Sequence, residues 1–399
     1  MPFELSPSRE RIMLFTLMAL QFIMIVDFMI MMPLSSVLMT AFNIQPAQFG
    51  VLVSSYSIAA GVSSLLASSL ADRFDRRNAL LAAFVGLLVA TLACAYANTF
   101  ELLLVARIIA GFFGGVLSSI VMAIVGDIFP PQKRGKAMGV VMLAFSLAAI
   151  TGVPLGLFIS NHYSWQTPFS FLAYTGIAVL IVAYKVVPSV RGHLNQPKVN
   201  FFRSYVELFN EPNHWWAFLT SCLVMVAGFL VIPFIAPTMV ANTSMTDHEL
   251  PYIYLAGGAA TLITRPWIGR MTDKHKHWKV LAFISLCSFV PIILITQTIQ
   301  TPFAVQLLFS TLFFIFVSGR FIPASALITA SCEPRFRGRV MAFSSAVQNF
   351  GSGIAALIAG AIMVKAPSGE ILHYDWVGYI ACGVSLVAIY TAMKVKAVS

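Results

Sequence analysis

Pro131-Gln132-Lys133-Arg134-Gly135-Lys136-Ala137-Met138 reappears in the second half of this 399-residue chain as Pro334-Arg335-Phe336-Arg337-Gly338-Arg339-Val340-Met341. Each copy is a short basic turn between long apolar runs. A second pair echoes the first. Ser68-Ser69-Leu70-Ala71-Asp72-Arg73-Phe74-Asp75-Arg76-Arg77 has its counterpart in Gly269-Arg270-Met271-Thr272-Asp273-Lys274-His275-Lys276-His277. Two matches at nearly one offset mark an internal duplication, and parallel repeats of membrane segments are the build of a rocker-type transporter with its site at the interface between halves.

Working outward, 59% apolar residues, 13% aromatics, 10% charged residues and a mean hydropathy of +0.86 lie far outside soluble norms. Hydrophobic runs of about 20 residues, each long enough to cross a ~30 Å hydrocarbon core as a helix, recur about twelve times. They fall near 12–40, 49–71, 78–97, 100–127, 135–160, 167–187, 215–240, 250–271, 279–299, 302–331, 338–364 and 375–394. The expected fold is an all-α membrane protein, with twelve transmembrane helices in two six-helix pseudo-symmetric bundles. Residues 1–187 form the N-terminal bundle, 188–214 a central cytoplasmic linker and 215–399 the C-terminal bundle. The first span is too long for a signal peptide and lacks its small-residue cleavage site, so it is expected to stay in the mature chain.

With both termini cytoplasmic, all but four of the 25 Lys and Arg residues fall in inner segments, as the positive-inside rule demands. Lys365 lies outside, and Arg107, Arg265 and Arg320 lie within spans. The net charge of +10 is therefore a topology signal and a contact with anionic lipid. No soluble basic patch interleaved with aromatics points to nucleic acid. Cys94, Cys222, Cys287, Cys332 and Cys382 sit in or beside spans without CxxC spacing and read as packing residues.

Asp27 is the one carboxylate placed well inside a hydrophobic span, in the run Ile12 to Met32 whose other polar side chains are Thr16 and Gln21. An ionisable group at bilayer depth is expensive and is kept mostly for work, so a proton-coupling role is the first hypothesis. At 1.5 Å per residue, Asp27 lies ~22 Å from the inner end of the first helix and Arg107 ~10 Å from the outer end of the fourth. These depths nearly coincide in a ~30 Å core. Arg107 is thus the candidate partner, either in a proton-coupling pair or as static glue.

The loop motifs carry a family resemblance. Over nearly its whole length the chain resembles the major facilitator superfamily, and within it the twelve-span drug:proton antiporters and arabinose-efflux-type permeases. Residues 68–77 are similar to that superfamily's Gly-x-Leu-Ala-Asp-Arg-x-Gly-Arg-Arg loop at Leu70, Ala71, Asp72, Arg73, Arg76 and Arg77, departing at Ser68 and Asp75. Arg107 with Gly111, Gly114 and Gly115 resembles the fourth-helix motif. Gly152-Val153-Pro154-Leu155-Gly156 resembles the fifth-helix antiporter motif, whose first glycine is here Ala148.

The resemblance implies that Asp72 faces the N-terminus of helix 11 and latches the cytoplasmic side, with Arg73 beside it. It also implies that Arg76 pairs with Asp127. Asp273 echoes Asp72 in the second half, in a copy weakened where His277 replaces the expected Arg. The competing reading is that these charges solvate a tight loop and set topology. Gly111, Gly115, Gly152, Pro154 and Gly156 let helices touch through their backbones in lipid, and Pro154 is expected to soften helix 5.

Tyr56, Arg265, Arg320, Gln348 and Asn349 are the candidate substrate-cavity residues. Three membrane arginines against one aspartate leave two readings open: attraction of an anionic substrate group, or snorkelling and pairing with acids such as Glu333. The many Met and Phe residues read first as packing.

An enzyme is not expected: there is no phosphate-cradling glycine loop, no metal-ligand spacing and no cofactor motif. The function expected is secondary active transport, namely proton-coupled efflux of small amphiphilic compounds by alternating access. The alternative is proton-coupled uptake or exchange of an anionic metabolite or carboxylate siderophore. The expected partners are a small-molecule substrate, protons and the lipid bilayer, without nucleic acid. The resemblance implies a multi-pass monomer in the bacterial inner (cell) membrane.

Overall fold

Proline and polar caps set where the membrane helices begin. In the computed structural model, which describes residues 6–70, 74–191, 208–243, 245–297, 300–333 and 336–398, the spans are α1 (Ser8–Ile30), α2 (Pro46–Ala67), α3 (Arg76–Ala95), α4 (Phe100–Ile128), α5 (Gln132–His162), α6 (Thr167–Val186), α7 (Pro212–Asn242), α8 (Leu250–Lys274), α9 (His277–Thr296), α10 (Phe303–Ala330), α11 (Arg337–Ile362) and α12 (Tyr374–Lys394). Eleven are long and apolar enough to cross a membrane. The twelfth, α8, matches them in length, and Arg265, Arg270, Asp273 and Lys274 make its C-terminal half more polar. The architecture is the expected all-α membrane fold of twelve transmembrane helices.

Asp75 caps α3 by accepting from Arg77 N–H at 2.9 Å, and Thr99 caps α4 by accepting from Leu102 N–H at 3.2 Å. Each satisfies a donor that the helix start leaves unpaired. Prolines stand in the first turns of α6, α7 and α8, where a missing N–H costs nothing.

The first span is shorter than its apolar run. The sequence reads as one helix over 12–40, whereas α1 ends at Ile30 and a turn at 31–34 leads into a short helix, Ser35–Ala41. Pro33 is the cause, since it cannot donate to the preceding turn and its ring crowds the carbonyl four residues back. In α5 the same residue type widens the helix instead. Ala148–Gly152 is a π-helical turn directly before Val153–His162, which has Pro154 in its first turn. α9 is interrupted at Ser288 and α10 at Arg320.

By contact the chain groups into two compact units, Met1–Ile30 with Ala59–Val199 and Met31–Ile58 with Asn200–Ser399. In the first, α1 packs on α5 and α6, and α3 on α4 and α6. In the second, α7 packs on α11 and α12, α8 on α10, and α9 on α10 and α12. α2 changes partner half-way. Its N-terminal half meets α11 backbone to backbone, where a methyl on Gly50 would lie 2.6 Å from the Ala356 carbonyl and one on Gly360 2.7 Å from that of Pro46. Its C-terminal half meets α4 where a methyl on Gly115 would collide with Ser63 and Ala60. Small residues at such crossings let the helices' van der Waals surfaces meet in lipid. A two-stranded hairpin, β1 (Val364–Lys365) and β2 (Ile371–Leu372), joins α11 to α12 in antiparallel register.

Candidate functional site

Within the first unit the structure brings Asp27 of α1 and Arg107 of α4 into a buried ion pair, 0% and 1% exposed. Arg107 Nη1 donates to Asp27 Oδ2 at 2.9 Å and to the Asp27 backbone carbonyl at 3.1 Å. The second bond matters because Asp27 lies in the last turn of α1, where carbonyls lose their intrahelical donors and a cation is favoured. A second α1–α4 contact, Gln21 Nε2 to Ser118 Oγ at 3.4 Å, runs in the sense expected of antiparallel neighbours, with residues later in α1 meeting residues earlier in α4.

Thr91 of α3 completes the site. Its hydroxyl lies 2.9 Å from Asp27 Oδ1 and 2.9 Å from the Leu87 carbonyl four residues back. One hydroxyl proton can serve one of these acceptors at a time, so Thr91 is a two-position donor. Nothing in the sequence distinguishes it, because a helical threonine ordinarily bonds its own i−4 carbonyl. The fifth-helix small residues hold α1 on both sides of the carboxylate: a methyl on Gly152 would strike Val26 and one on Gly156 would lie 2.5 Å from Ile30.

Between the start of α3 and the end of α4 in the same unit, Arg76 Nε donates to Asp127 Oδ2 at 3.1 Å. Asp72 and Arg73 lie outside the described residues, as do Pro334 and Arg335 of the duplicated loop. Asp75, which the loop comparison reads only as a departure from glycine, is a buried anchor. Its carboxylate accepts from Ser189 Oγ, from Val190 N–H at 3.1 Å and from Arg191 Nε at 3.0 Å, besides capping α3. Burial pushes its pKa up, but the four donors outweigh that and hold it at about 2. Asp273 is exposed near the end of α8, and a ring nitrogen of His277 meets the Thr272 carbonyl at 3.2 Å.

The candidate cavity residues all fall in the second unit. Tyr56 is buried in α2, while Arg265 and Asn349 are half-buried. Gln348, also half-buried, donates to Ser344 Oγ one turn earlier at 3.2 Å. Arg320 is fully enclosed, with Nη1 on Ser385 Oγ of α12 at 2.7 Å, so it neither snorkels to solvent nor pairs with Glu333. Gly111 is buried in α4, and Pro154 is half-buried. Among the described residues no three His, Cys, Asp or Glu side chains come together as a metal site.

The apolar helices together define a multi-pass membrane protein. The family model of the Major Facilitator Superfamily matches residues 17–310 and 217–397, and the chain belongs to that superfamily. It is 23% identical over 351 residues to the uncharacterized MFS-type transporter YceJ of Bacillus subtilis (strain 168), covering 88% of each chain. It is also 23% identical over 390 residues to a probable sugar efflux transporter of Pasteurella multocida (strain Pm70), covering 98% of this chain and 93% of that one. The crystal structure of a D-xylose-proton symporter superposes with a TM-score of 0.79 at 16% identity, covering 98% of this chain and all of the other.

Proposed function

We propose that this chain is a proton-driven exporter of small amphiphilic compounds, working by alternating access between the repeats 1–187 and 215–399 as a monomer in the bacterial inner membrane, both termini inside. The observation that carries the reading is the enclosed Asp27–Arg107–Thr91 arrangement. When Asp27 is ionised, Arg107 and the Thr91 proton neutralise it. When Asp27 takes up a proton, its O–H donates to Thr91, whose own proton turns to the Leu87 carbonyl, and Arg107 loses its counter-charge. An unpaired guanidinium at bilayer depth is costly, so protonation changes the relative energy of the states in which Arg107 is enclosed. A ligand or proton shifts such an equilibrium only through differential interaction with its states, and this pair supplies one. The outward direction is supported by the likeness to the probable sugar efflux transporter of Pasteurella multocida.

The test is transport in proteoliposomes with an imposed pH gradient, over a small panel of cationic, neutral and anionic compounds. Asp27→Asn is expected to abolish uphill accumulation and to leave downhill exchange in place. Full pH-driven accumulation by that variant would remove Asp27 from the mechanism.

A further inference from the structure

The second guanidinium enclosed within a span is held differently from the first. Arg320 stands at the interruption of α10, between Phe303–Gly319 and Phe321–Ala330, and is 1% exposed. Its Nη1 donates to Ser385 Oγ, and that hydroxyl gives its own proton to the Ala381 carbonyl at 2.7 Å. Ser385 is thus a neutral partner with its donor already used. Nε and Nη2 of Arg320 have no hydrogen-bond partner, and Arg320 forms no ion pair among the described residues. Nearby, Ile268, Val280 and Ile284 with Phe316 and Ile322 make an apolar cluster.

A guanidinium does not shed its charge in a protein, and a membrane-buried charge pairs with an opposite one or lines a cavity. Arg107 shows the chain supplying the anion itself; at Arg320 the described residues supply none. The chemistry of the orphan atoms is specific. Nε and Nη2 lie along one edge of the guanidinium, and their parallel N–H bonds match the two oxygens of a carboxylate. A spherical ion makes no use of that geometry.

We propose that this edge of Arg320 docks a carboxylate group of the transported compound. The proposal names the substrate class for the exporter described above and rests on that reading. The edge is enclosed in this structure, and the interruption of α10 provides the place to open it: Pro323 cannot donate to the Gly319 carbonyl, which leaves the helix weakest beside Arg320. A singly charged carboxylate moving out against one proton moving in carries two charges in the same electrical sense, so an inside-negative potential adds to the pH gradient.

The experiment uses the detergent-purified full chain, with thermal unfolding followed against sodium phenylbutyrate, the neutral phenylbutanamide, and sodium chloride at matched ionic strength. The expected result is a saturable rise in Tm with phenylbutyrate alone. In Arg320→Gln the apparent Kd should weaken by about ten- to a hundredfold, the loss of a charge-assisted pair of bonds. Arg320→Lys keeps the charge but not the parallel donors and should also weaken; it serves where the Gln variant fails to fold. Binding is read here without a pH gradient and proton coupling in proteoliposomes with one, so failure of proton coupling and failure of this site are read separately. Chloride matching phenylbutyrate would assign the edge to an inorganic anion and overturn the substrate claim. An absent shift, or an equal one in the Arg320 variants, would leave the edge to buried water and overturn the site.

Discussion

Asp27 and Arg107 illustrate how two charges survive at bilayer depth. Removing one partner of a buried pair strands the other, which costs about 3–5 kcal/mol, whereas removing both is often nearly neutral. Arg107→Leu alone should therefore depress expression and Tm strongly, and Asp27→Asn with Arg107→Leu should recover most of the loss, as read by thermal unfolding in detergent. Thr91→Val tests the two-position donor. It deletes one hydrogen bond to a buried charged group, ~1.5–3 kcal/mol, and should lower Tm measurably while slowing proton-driven transport about ten- to a hundredfold in the protein that folds. Asp75 makes the opposite kind of claim, a structural one with a pH signature. Its pKa is depressed, so its contribution is complete above the ordinary carboxylate value of 3.8 and is lost only as pH falls towards about 2. The difference in Tm between wild type and Asp75→Gly should accordingly be constant from pH 8 to about pH 5, reflecting the lost cap and the freed segment at Ser189–Arg191.

At the scale of elements, the fifth and second helices do the positioning. The π-turn at Ala148–Gly152 and the glycines at 152 and 156 set α1 against α5 on either side of Asp27. Pro154→Ala restores the missing N–H and should let α5 close into a regular α-helix. Stability should hold or rise while turnover falls, measured as Tm against initial transport rate. Gly115 is stricter, because a side chain there meets the backbone of Ala60 as well as the Ser63 hydroxyl. Gly115→Val should cost about 1–3 kcal/mol, the range for overpacking a close contact. Pro154 and the small residues were legible in the sequence as a motif, but the π-turn was not, since its placement depends on how α1 fills the space opposite. Pro33 gave a visible reason for α1 to stop, yet apolar residues on both sides made 12–40 read as continuous.

Over the whole molecule, the apolar runs carried most of the architecture: the spans fall within a few residues of them, apart from the first. Depth arithmetic alone set Asp27 level with Arg107, and the structure has them 2.9 Å apart. What stayed hidden depends on contacts between distant stretches. The grouping of residues 31–58 with the second unit follows from Gly50 touching α11, and single glycines in apolar helices do not announce a partner. Ser385 and Thr91, which receive or share the buried charges, look like ordinary helical hydroxyls.

The central claim is that one carboxylate, Asp27, takes up and releases the transported proton inside the membrane. Infrared difference spectroscopy between acid and alkaline pH on the purified protein tests it without knowledge of the substrate. A protonated-carboxyl band is expected that is absent in Asp27→Asn and displaced in Thr91→Val, where its hydrogen-bond acceptor is gone. An unchanged spectrum in Asp27→Asn would contradict it.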